Sequence, residues 1–85
     1  MNNKINDLKK KIIYRSTYRG TKEMDTLLIL FIKKYIDIFN EKDLINLSDL
    51  LDIDDDSLYK FNQGQKITAK IKTNKVTDLF RNFTI

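Results

Sequence analysis

Residues 24–39 read MDTLLILFIKKYIDIF, and within them Met24, Leu27, Leu28, Phe31, Ile32, Tyr35, Ile36 and Phe39 recur at i, i+3, i+4, i+7, i+8, i+11, i+12 and i+15. That spacing puts the apolar side chains on one stripe of a 3.6-residue repeat and predicts a long helix running to Phe39. Ile29, Leu30 and Ile38 lie off the stripe, so this helix should be contacted on more than one side, as a central helix is. Glu23 and Asp25 stand in its first turn, where the helix dipole favours negative charge.

Working outward, Ile5, Leu8, Ile12 and Ile13 oppose a row of lysines, which predicts an amphipathic helix over residues 4–15 broken by Ser16–Gly20. On the other side, Asn40 can cap a third helix, with Glu41 and Asp43 in its first turn and Leu44, Leu47, Leu50 and Leu51 on its core face. Asp52–Asp56 reads as a turn into a short fourth helix whose Leu58, Tyr59 and Phe61 face the core. Gly64 stands where a left-handed terminating residue belongs. Asn74 can cap a last helix carrying Val76, Leu79, Phe80 and Phe83. Ile67, Ala69 and Ile71 alternate like a strand, but a lone strand is unstable, so Ile67–Thr73 is expected to be an extended connector. The expected fold is an all-α, single-domain bundle of about five helices over residues 1–85, with no domain boundary.

Composition narrows the function. A chain of 85 residues supports a single core. Without cysteine there is no disulfide or thiolate chemistry. Without histidine the chain lacks the side chain best suited to acid–base work near neutrality, and also the commonest metal ligand. A self-contained enzyme is therefore not expected, nor is a stably bound cofactor or metal on the isolated protein. The longest apolar run, Leu27–Ile32, is far shorter than the roughly 20 residues needed to span a bilayer. No secretory signal is visible, so a cytoplasmic bacterial protein without membrane insertion is expected. No helix shows a surplus apolar face, and the free protein is expected to be a monomer.

The net charge of +4 is segregated: +4 over residues 1–25, −4 over 26–63 and +4 over 64–85. Nucleic acid would be drawn to the ends and repelled by the middle, and no nucleic-acid partner is expected. Asp52, Asp54 and Asp56 open like a calcium loop, but Ser57 replaces the turn glycine and Gln63 the bidentate glutamate. Acids at a helix start are the better reading. No phosphate-cradling glycine loop exists among two glycines.

Thirteen of the sixteen basic residues are lysine, yet Arg15 and Arg19 lie close together, followed by Gly20 and accompanied by Tyr14 and Tyr18. Arginine supplies a planar fork of donors that lysine cannot replace, and Tyr with Arg makes either a base-stacking surface or a protein-interface anchor. An ordinary turn with a flexible glycine and dipole-complementing acids explains the same residues equally well.

Arg19, Gly20, Glu23, Met24 and Asp25 reproduce an R-G-x-x-E-[LM]-D signature, and the chain resembles the succinate dehydrogenase flavinylation factors, the SdhE type of FAD assembly factor. The resemblance continues through the apolar central helix, Leu50, Leu51 and Asp52. It then runs from Asp56 to Gly64, where the family tends to read D-x-[LI]-Y-x-W-x-x-G. Phe61 replaces the tryptophan, and Gln65, Lys66, Ile67 and Thr68 replace a proline-bearing segment. The resemblance implies a five-helix assembly chaperone that binds the flavoprotein subunit of succinate dehydrogenase, with fumarate reductase as a further client. It would promote covalent FAD attachment while the client performs the bond formation. The expected client-binding residues are Arg19, Gly20, Glu23 and Asp25 from this signature, with Arg15 and Tyr18 from the arginine–tyrosine cluster beside it. A small nucleic-acid-binding module and a toxin–antitoxin-type regulator are the competing classes, because fold alone does not fix function.

Overall fold

The computed structural model describes residues 3–17, 22–67 and 70–84. Helix α1 spans Asn3–Thr17, α2 Lys22–Tyr35, α3 Glu41–Leu50, α4 Asp55–Asn62 and α5 Lys75–Arg81. Among the described residues there is no strand, and the expected all-α bundle is what the chain forms. Helix α1 lies along α2 and α3, and α5 lies on α3 and α4. Ile12, Leu28, Phe31, Leu44, Leu47, Leu58, Val76 and Phe80 form the fully buried centre. Phe31 is its aromatic hub, with ring centroids 5.2 Å from Phe80, 5.3 Å from Phe83 and 5.1 Å from Tyr35. Two of these contacts are edge-on, an arrangement the ring quadrupole favours.

The helix ends follow from local chemistry. Asn40 accepts from the Asp43 N–H at 2.8 Å, and the Asp43 carboxylate accepts from the Asn40 N–H at 3.3 Å. This reciprocal box satisfies donors that a helix start leaves unpaired. Asn74 and Thr77 build the same box at α5. At the end of α4, Gly64 adopts φ 77°. The Gln65 N–H reaches the Lys60 carbonyl and the Gly64 N–H reaches that of Phe61. This is a Schellman closure, and it needs the left-handed residue that glycine provides without strain.

Several expectations change. Helix α1 continues through Ser16 and Thr17, because both hydroxyls donate back to the Ile13 carbonyl inside the helix, at 2.8 and 2.7 Å. Ile13 is half exposed and does not join the core. Helix α2 stops at Tyr35 although the apolar repeat runs on. There the Ile38 N–H closes onto the Tyr35 carbonyl, one residue short of the α-helical bond. Ile36 and Phe39 still reach the core, from the turn. Helix α2 meets α1 on one flank and the rings of Phe80 and Phe83 on another, but Leu30 and Ile38 point to solvent. Together with Ile13 and Ile45, they leave apolar surface that the helical repeats did not lead us to expect. Phe61 is half buried and stacks on Phe80 at 6.4 Å. Ile67 and residues 70–73 have no regular secondary structure, as expected of a connector, while Thr68 and Ala69 lie outside the described residues.

Candidate functional site

Helix α2 begins at Lys22, so Glu23 and Asp25 occupy its first turn, as the sequence suggests. Glu23 is exposed and Asp25 half buried. Met24 between them is buried, because it starts the apolar stripe that anchors the helix. Glu23 is thereby held at the surface by a rigid element.

Helix α4 approaches the same place. Its N-cap is Asp54, whose carboxylate accepts from the Ser57 N–H at 3.0 Å. That backbone hydrogen bond, helped by the Ser57 side chain, holds the Asp54 carboxyl below the usual carboxylate range. Asp54 is thus a cap, in keeping with the helix-start reading of this acidic run. Among the described residues, no three carboxylates converge to hold a metal ion.

One turn into α4, Tyr59 is 44% exposed, where the sequence had suggested a core residue. Leu58 and Phe61 take the inward positions of this short helix, and Tyr59 falls beside them. An open groove of about 700 Å³ lies between Glu23, Leu27, Tyr59, Gln63 and Phe83. A second, of about 400 Å³, lies between Glu23, Met24, Asp55, Asp56 and Tyr59. Glu23 and Tyr59 line both, so a carboxylate and a tyrosine stand together between two grooves. Composition gave no hint of Tyr59; the segment Asp56–Gly64 singled out above, which contains it, was the available signal.

Arg15, by contrast, turns inward. Its Nη1 donates to the Ser48 carbonyl at 3.2 Å and to the Ser48 hydroxyl at 2.9 Å, and its Nη2 pairs with Asp52. Tyr18, Arg19 and Gly20 lie outside the described residues. Of the six candidate positions, the structure therefore sets Glu23 and Asp25 on one turn and ties Arg15 to α3.

Asn62 is another residue that sequence reasoning passed over. It is buried, and its side-chain amide donates to the carbonyls of Phe80 at 2.7 Å and Phe83 at 2.9 Å. It thereby closes the end of α5 and holds Phe83 in the wall of the larger groove.

A bundle with five helices among the described residues and a groove-flanked face at the start of α2 is the class these features define. Residues 10–84 match the family described as flavinator of succinate dehydrogenase, and the chain belongs to that family. No curated protein and no solved structure matches it.

Proposed function

We propose that this chain is an assembly chaperone that binds the flavoprotein subunit of succinate dehydrogenase and promotes covalent attachment of FAD to it. Membership of the flavinator family over residues 10–84 is the observation that carries this reading. Fumarate reductase flavoprotein is a second client in the proposal. The reacting groups and the FAD belong to the client; this chain supplies a surface that holds the client in a reactive arrangement. Such positioning accelerates bond formation without a catalytic side chain on the chaperone.

The proposed contact face centres on Glu23 and Tyr59, with Asp25 on the same turn and Tyr18, Arg19 and Gly20 preceding it. Among the described residues, neither the Glu23 carboxylate nor the Tyr59 hydroxyl is engaged in a hydrogen bond or ion pair, so both side chains remain available to a partner. Tyrosine is enriched among residues that dominate interface energetics, and a client cation or amide can meet the carboxylate.

The test is direct binding of the purified chain to the purified flavoprotein, comparing Arg19→Ala, Gly20→Arg, Glu23→Ala and Tyr59→Ala. Retained helicity with weakened binding is expected. Substitution at an exposed position such as Glu23 or Tyr59 should change stability by only about 0.5 kcal/mol. Folded variants that bind like the parent would sink the assignment of the face, and a parent that does not bind would sink the function.

A further inference from the structure

Arg15 is one of three arginines and lies four residues before Arg19, beside the expected client contacts. Its geometry assigns it different work. Helix α3 ends without a basic residue in its own last turn. The closing backbone bonds also change register: Leu51 donates to Leu47, but Asp52 donates to Asp49 and Ile53 to Leu50. This tightening passes over the Ser48 carbonyl, and Arg15 donates to it from another helix. The same guanidinium holds the Ser48 hydroxyl and the Asp52 carboxylate. One planar fork therefore satisfies an orphan carbonyl, sets a cation at the negative end of α3 and pairs with an acid beyond it.

The position of the clamp gives it reach. Arg15 is in the last turn of α1, and only residues 18–21 separate Thr17 from Lys22 at the start of α2. Each residue spans at most about 3.6 Å, so the end of α1 limits how far away the start of α2 can lie. Core packing at that end comes from Ile12 and Ser16, which are buried, while Ile13 is 49% and Tyr14 71% exposed. The Ser16 and Thr17 hydroxyls are spent within α1, on the Ile13 carbonyl.

We propose that Arg15 is a positioning residue: bonded to Ser48 and Asp52, it fixes the end of α1 and thereby limits where the Glu23 face at the start of α2 can sit. The inference rests on the function proposed above for that face. Asp52 and Ser48 stand outside the face, so their loss discriminates a clamp from a direct client contact.

The experiment follows backbone amide resonances of the isolated chain, and separately its affinity for the flavoprotein, in Arg15→Ala, Arg15→Lys, Ser48→Ala, Asp52→Ala and Asp52→Asn. Asp52→Ala should move the amides of Thr17 and of Glu23 to Asp25 as Arg15→Ala does, while those of Leu79 to Arg81, at the far end of α5 from the groove that Asp52 shares with Asn74 and Thr77, stay in place. Both should weaken client binding, by about 2- to 30-fold as is usual for residues acting through others. The double variant should be no worse than Arg15→Ala alone, and Arg15→Lys should not rescue. Asp52→Asn provides the same comparison should the alanine variant fold poorly. If the Asp52 and Ser48 variants leave those amides and the affinity unchanged while Arg15→Ala loses binding, Arg15 touches the client itself and the clamp is overturned. Glu23→Ala separates the two claims: if it binds normally, the face has failed, and the amide shifts alone decide the clamp.

Discussion

Helices α1 and α5 are docked by opposite means. Helix α5 buries Val76, Thr77 and Phe80, sets Phe80 against Phe31, and has its last carbonyls held by the buried Asn62 amide. Helix α1 fully buries only Ile12 among its large apolar residues, with Ile5 and Leu8 half covered. Ion pairs tie it instead: Lys4 to Glu41 at 3.5 Å, Lys9 to Asp37 at 3.4 Å, and Arg15 to Asp52. Desolvated apolar contact is strong and insensitive to salt, whereas exposed ion pairs contribute little and are screened. The comparison teaches that the helix leading into the candidate face is the more weakly held of the two. The frame on which that face rests is set by α2, α4 and α5.

The largest effect should come from the α5 side. Phe80→Ala removes a fully buried ring and should cost about 3–5 kcal/mol in urea unfolding. A loss under about 1 kcal/mol would mean that α5 is not anchored through its core contacts.

Asn62→Ala comes next. It removes the amide that bridges the Phe80 and Phe83 carbonyls and leaves Phe80 only the longer bond from the Phe83 N–H at 3.2 Å, a change that typically costs about 1–3 kcal/mol. If stability is unaffected, water replaces the amide and α5 is less tightly closed than the geometry indicates.

Salt sharpens the contrast further. At about 1 M salt, screening acts within roughly 3 Å, and amide exchange in α1 should quicken relative to α5. Each exposed pair is worth only about 0–1 kcal/mol, so the expected change is small and local. Equal responses in α1 and α5 would break the comparison.

The smallest effect belongs to Asp54, at the start of α4. Its carboxyl is held below its ordinary value of 3.8 in the folded protein. A depressed folded value means its contribution is complete above the unfolded value and is lost as pH falls through the folded one. The stability advantage of the parent over Asp54→Asn should therefore be constant above about pH 4 and shrink as the pH falls below it. A difference that persists unchanged into strong acid would assign the effect to another group.

Caps and the left-handed turn were legible in the sequence because they are local: Asn40 and Asn74 act three residues away, and Gly64 closes its own helix. The apolar stripe of α2 was legible for the same reason. Its end was not, since Ile36 and Phe39 serve the core from a turn as well as they would from a helix. Tyr59 was misjudged because a short helix offers too few turns for periodicity to separate it from Leu58 and Phe61. The partners of Arg15 and Asn62 were beyond reach: Ser48 lies 33 positions from Arg15, and Phe80 lies 18 from Asn62. Spacing along a helix carries no information about such pairings. The signature around Glu23 was readable as a motif, but the grooves beside it arise only when α4 and α5 fold against α2.

The central claim is that this chain promotes flavinylation through the face at Glu23. The most direct measurement is covalent flavin on the succinate dehydrogenase flavoprotein, read by fluorescence after denaturing electrophoresis. The flavoprotein is expressed alone, with the parent chain, and with folded Glu23→Ala. The account predicts strong flavin fluorescence only with the parent, at equal flavoprotein levels. Equal covalent flavin in all three would contradict it.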